Sequence, residues 1–119
     1  MAFTDNKPRT VTAPRETMVD VTLAAACEVG DLITYNSGWK LAVANTATMV
    51  LVALEAGAIG DVITASPFAV IHSITGMTAG GILRTAAAGA YAESTGTRVG
   101  YSASATEAVV LPLLTTATA

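Results

Sequence analysis

A chain of 119 residues has room for one domain of ordinary size. It is 52% hydrophobic but only 5% aromatic and 13% charged, and its net charge of −3 sets six Lys and Arg against nine Asp and Glu. That balance excludes affinity driven by phosphate neutralisation, which needs clustered cations, so no direct nucleic-acid partner is expected.

The apolar share comes from small residues: 24 Ala, 18 Thr and 10 Gly fill 52 of the 119 positions. A core of such side chains gains less per buried residue than one of Leu or Phe, so self-association is expected to supply part of the burial. The single cysteine, Cys27, excludes an intrachain disulfide framework. The first ten residues have no apolar stretch of the secretory type, and the run Met49 to Leu54 is far short of the ~20 residues of a membrane helix. No membrane contact is expected, and the chain is expected to stay in the cytosol unless it leaves on a particle.

Residues 1–17 hold Pro8, Pro14, Lys7, Arg9 and Arg15 with few large apolar groups, which predicts an extended N-terminal arm. The body is expected at residues 18–119. Short apolar runs divided by Gly, Asn, Ser and Thr predict a mainly β protein, a small single-domain β-sandwich or β-barrel. Val19, Val21 and Leu23 alternate with Asp20 and Thr22. Leu32–Tyr35 and Trp39–Val43 flank Asn36-Ser37-Gly38, the triplet of a three-residue hairpin loop, and Trp39, Leu41 and Val43 alternate with Lys40, Ala42 and Ala44. Thr48 to Leu54 reads as a strand covered on both faces. Phe68 to Ile74 reads as one strand with His72 on its apolar face, beside Phe68, Val70 and Ile74. The last strand is placed at Val109 to Leu114, at an edge or bulge because Pro112 cannot donate to a ladder.

One short pattern recurs: Val29-Gly30-Asp31-Leu32-Ile33-Thr34, Ile59-Gly60-Asp61-Val62-Ile63-Thr64 and, more loosely, Ala79-Gly80-Gly81-Ile82-Leu83. Spacings of 30 and then 20 residues mark a reused turn before a strand rather than a solenoid. Asp31 and Asp61 are read as caps on turn amides and not as paired catalytic acids. One His and one Cys cannot close a zinc site, and no metal or other cofactor is expected. Gly76 to Gly81 lacks the Lys and the helix of a phosphate loop. Trp39, Tyr35, Tyr91 and Tyr101 are core and interface anchors, or alternatively a sugar- or peptide-binding surface. Cys27 with His72 is the sole pair for thiol chemistry, Cys27 otherwise reading as a small buried hydrophobe and His72 as a core or interface histidine.

From Val19 to Leu114 the chain resembles bacteriophage capsid decoration, or cement, proteins. The resemblance is carried by the two Gly-Asp segments and by Gly96-Thr97-Arg98-Val99-Gly100-Tyr101-Ser102-Ala103-Ser104-Ala105 with Val109-Val110-Leu111. It implies a non-enzymatic protein bound to the outside of an icosahedral phage head. There it contacts the major capsid protein, commonly as a homotrimer, bridges capsomers and holds the shell against DNA pressure. On this reading Arg9, Thr10, Val11, Thr12 and Arg15 form a capsid-binding arm, and removing residues 2–16 is expected to spare the body and abolish shell binding. Trp39, His72 and Tyr101 are the candidates for oligomer or capsid contact, with His72 a source of pH-sensitive assembly. The alternatives are another phage structural or adhesion β-module that binds glycan or protein, and a thiol hydrolase built on Cys27 and His72.

Overall fold

The computed structural model describes residues 3–43 and 49–111. In chain order its strands are β1 (Thr4–Asp5), β2 (Val11–Thr12), β3 (Val19–Thr22), β4 (Leu32–Tyr35), β5 (Trp39–Leu41), β6 (Val50–Ala53) and β7 (Val62–Ser66), then β8 (Ala69–Ile71), β9 (Ile74–Thr75), β10 (Ile82–Thr85), β11 (Tyr91–Ala92), β12 (Arg98–Ser102) and β13 (Ala108–Val110). Single 3-10 turns lie at Arg15–Thr17 and Ala87–Gly89. The protein is mainly β, one small domain of curled antiparallel sheets in a half-barrel and sandwich arrangement.

The predicted hairpin forms, with Tyr35 opposite Trp39 and Ile33 opposite Leu41. Both Ser37 (φ 54°) and Gly38 (φ 118°) take positive φ, so the triplet uses a left-handed Ser as well as the Gly. β5 stops at Leu41, and Ala42 is fully buried with its N–H donated to the Leu32 carbonyl at 2.8 Å. Val43 is 47% exposed, which breaks the expected alternation, and Ala44 lies outside the described residues.

β6 carries apolar side chains to both sides, as its continuous run predicts; Thr48 is outside the described residues. Val50 and Val52 join Leu32, Ala69, Ile71, Leu83, Val99, Ala108 and Val110 in a core between the two large sheets. Leu51 and Ala53 join Val21, Leu23, Cys27, Ile33 and Ile63 in a second core within the curl of the five-stranded sheet. A parallel bridge of Leu23 to Trp39 draws the two edges of that sheet together.

Phe68 to Ile74 is two strands rather than one. Ala69 and Ile71 face the core, whereas Val70 is half-buried and His72 exposed, so the period-two register puts His72 outward. The chain then leaves the sheet, and Ile74–Thr75 pairs with Thr4–Asp5. The last described strand is not at an edge: β13 lies between β12 and β8. It ends at Val110, which leaves its ladder donors intact, and Pro112 is outside the described residues.

The recurring Gly turn reports a duplication. The five-stranded sheet has the order β3-β7-β6-β4-β5, and the six-stranded sheet repeats it as β8-β13-β12-β10-β11 with β2 added outside β8. Gly30 and Leu32 correspond to Gly80 and Ile82, 50 positions on. Gly30 donates to the Ala53 carbonyl at 2.7 Å, and Ala53 donates back to Asp31 at 2.9 Å. Gly80 and Gly81 make the same clamp on Ser102 at 2.7 and 2.9 Å, and Gly60 and Asp61 make it on Leu23 at 2.8 and 2.9 Å. Within the first half, strand–turn–strand segments 30 residues apart cross-pair: Val21 faces Ile63 as Leu51 faces Ile33.

The Asp of the motif is a turn cap, as the sequence suggests. Asp31 accepts the Glu28 N–H at 2.8 Å, and Asp61 accepts the Ala58 N–H at 2.9 Å. In the third turn Gly81 stands at that place, and Glu93 supplies the carboxylate, accepting the Thr78 N–H at 3.0 Å.

Candidate functional site

The N-terminal segment is part of the body, which corrects the free-arm expectation. β1 pairs with β9, β2 pairs with β8, and Phe3, Val11 and Ala13 pack on the main core. Arg9, one of the two arm cations expected at the shell, is 3% exposed. Its guanidinium binds Asp5 through Nε (2.8 Å) and Nη2 (2.7 Å) and Asp31 through Nη1, and it stacks 5.3 Å from the centre of the Tyr91 ring. Tyr91 donates its hydroxyl to the Gly30 carbonyl at 2.7 Å. Gly30 is required here, because a Cβ would lie 2.6 Å from Arg9 Cδ. The network ties the N-terminal segment to both halves of the duplication.

Burial opposes the Arg9 charge, but the hydrogen bonds with Asp5 and Asp31 outweigh it, and the guanidinium is held charged more firmly than usual. Burial pushes the Tyr91 phenol well above its ordinary range. An unfolded Tyr ionises near pH 10 while the folded one keeps its proton, so this contribution to stability is complete below about pH 10 and falls above it by about 1.4 kcal/mol per pH unit. Denaturant melts from pH 9 to 11 are expected to show this loss, and Tyr91→Phe to remove it; an unchanged slope in the variant would contradict the assignment.

Of the other arm residues, Thr10 is exposed and accepts the His72 N–H at 2.9 Å, Val11 is half-buried, and Arg15 is exposed in the 3-10 turn. Thr12 faces outward. Cross-strand register sets it in a row with Val70, Val109, Tyr101 and Ile82 across the outer face of the six-stranded sheet. Tyr101 is 43% exposed, and Val70, Val109 and Ile82 are half-buried. Arg84 and Arg98 are paired on one flank of the row. On the other flank His72 lies 3.5 Å from the Glu107 carboxylate and 3.1 Å from the Thr12 hydroxyl. Three expected contact residues, Thr12, His72 and Tyr101, therefore share one face.

Trp39 belongs to a different patch. It is half-buried against the second core and meets Tyr35 edge-on, ring centres 5.6 Å apart. Tyr35 is 55% exposed and Met49 45%. The aliphatic members of both patches escape a sequence reading, because apolar runs such as Phe68 to Ile74 do not declare which residues face out.

Cys27 and His72 are not brought together: Cys27 precedes β4 and His72 directly follows β8, each with different partners. Cys27 bridges Gly57, its thiol donates to the Glu55 carbonyl at 3.7 Å, and burial pushes its pKa up. A protonated, buried thiol is a poor nucleophile. A thiol-reactive probe at pH 7 is expected to label Cys27 only on unfolding, and rapid native labelling would contradict this. An open cleft of about 240 Å³ beside it, lined by Lys7, Glu28, Asp31 and Ala88 among others, falls below the size of ordinary small-molecule sites. Among the described residues no three His, Cys, Asp or Glu side chains converge as metal ligands, and no helix is long and apolar enough to cross a membrane.

Fold and surface thus define a small, internally duplicated β protein that presents, among the described residues, an apolar sheet face with charged flanks. Neither a family model, nor a curated protein, nor a solved structure matches the chain.

Proposed function

We propose that the protein is a non-enzymatic bacteriophage capsid decoration, or cement, protein that binds the major capsid protein on the outer surface of the head. One observation supports this reading best: the outer sheet face has an apolar row of Ile82, Tyr101, Val109 and Val70 rimmed by Arg84, Arg98, His72 and Glu107. An apolar centre with a charged rim is the make-up of a protein–protein contact, and a sheet crossed by ladder hydrogen bonds presents it with little ordering cost. A homotrimer would present the face three times, so weak contacts add through effective concentration. Binding only the assembled shell, the protein stabilises it by linkage.

The test is co-sedimentation with expanded shells. Tyr101→Ala is expected to weaken binding by tenfold or more, the effect of truncating an interface anchor, while the melting temperature stays close to that of the parent. Undiminished shell occupancy would remove this face from the contact. A second reading, an adhesion module for glycan, draws on the exposed Tyr35 beside Trp39. Glycan binding lost in Tyr35→Ala, with no shell binding, would favour it.

A further inference from the structure

The two halves of the duplication differ in what lies outside their first strands, and that difference identifies a binding edge. In the second half β8 is flanked on its outer side by β2: Val11 pairs with Ile71, Thr12 with Val70, and the His72 N–H is donated to Thr10. In the first half the corresponding strand is β3, 50 positions earlier, with Asp20, Val21 and Thr22 at the places of Val70, Ile71 and His72. β3 ends its sheet, and among the described residues no strand lies along its outer side. The sheet edges meet at its C-terminal end, where Leu23 bridges Trp39 and Ala24 donates to the Trp39 carbonyl at 2.8 Å.

Leu23 exchanges both backbone hydrogen bonds with the Gly60–Asp61 turn. Alternation along an antiparallel strand then directs the N–H of Thr22 and both the N–H and C=O of Asp20 away from β7, toward the outer side, where the Thr22 carbonyl is taken up by the bridge to Trp39. Val19, Asp20 and Thr22 are exposed, whereas Val21 is buried. Among the described residues, the stretch from Val19 to the Thr22 N–H is an edge that no strand covers, of the kind that accepts an added strand.

We infer that the outer edge of β3 receives an extended segment of the phage shell subunit, antiparallel to β3, as a sixth strand in the place that β2 fills in the other half. The inference rests on the decoration reading. The occupant's chemistry follows from the filled site: a β-branched or other apolar residue opposite Val21, as Val11 stands opposite Ile71. Its neighbour opposite Asp20 is Lys or Arg, because an exposed carboxylate replaces Val70 there. With the sheet face on one shell subunit and this edge holding a segment of another, one molecule bridges two.

The test is hydrogen exchange of the intact protein, free and bound to expanded shells, with a Thr22→Pro variant in parallel. In the free protein the Asp20 and Thr22 amides are expected to exchange quickly, and shell binding to slow them at least tenfold. Thr22→Pro removes only an outward donor, a change edge strands accept, and is expected to weaken shell binding tenfold or more. Shell binding with unchanged exchange at Asp20 and Thr22 overturns the edge proposal and leaves the decoration reading in place. Slow exchange in the free protein also overturns it, since the edge is then already covered. Absence of any shell binding overturns both.

Discussion

Arg9→Ala is expected to cost about 3–5 kcal/mol of stability, the range for removing one partner of a buried charge pair, and to lower the melting temperature by roughly 10–25 °C. The Arg9 side chain is wholly buried, and its loss strands Asp31 at 4% side-chain exposure and Asp5 at 13%. It also empties the space over the Tyr91 ring. Thermal and denaturant unfolding check the magnitude, and combining Arg9→Ala with Asp31→Asn is expected to cost less than the sum of the two. A loss under about 1 kcal/mol would show that the network does not hold the halves together. For the same reason a chain without residues 2–16 is expected to lose much of its stability along with β1, β2 and Arg9. Any loss of shell binding on truncation therefore reports on the body and not on a detachable arm.

Gly100→Ala is expected to destabilise by about 3 kcal/mol or more through overpacking. Gly100 sits in β12, an interior strand, opposite Leu83 on one side and Val110 on the other. A Cβ there would collide with the Val109 carbonyl oxygen and lie 2.8 Å from Val110 Cα. Those atoms are backbone and cannot turn aside as a side chain can, so relief requires moving β13 and breaking its ladder. Gly60→Ala is the matched control: its Cβ meets nothing within 4 Å, and it carries only the cost of positive φ. Equal melting temperatures for Gly100→Ala and the parent would contradict the close approach of β12 and β13.

Local signals in the sequence carried much of the fold. Asn36-Ser37-Gly38 marks its hairpin because few residues accept positive φ, and the run through Val50 to Ala53 marks a strand buried on both faces. The Gly-Asp turns are equally legible, down to the carboxylate on the turn amide. What such signals omit is pairing at a distance. Nothing near Arg9 announces a partner 22 residues away, and a segment with two prolines and three cations reads as a solvated arm until Asp31 and Tyr91 are seen to enclose it. The duplication is hidden for a related reason: the halves share strand order and backbone clamps, which Gly81 in place of Asp31 still satisfies. Thr12, His72 and Tyr101 are each visible as candidates, but their convergence is a property of the sheet register.

The decoration reading is tested most directly by quantitative mass spectrometry of purified phage particles from the source, comparing copies of this chain with copies of the major shell protein. Copy numbers close to those of the shell protein are expected on this reading, as a contact repeated at every capsomer requires. Absence from the particle, or a handful of copies, would contradict it and assign the outer sheet face to a different partner.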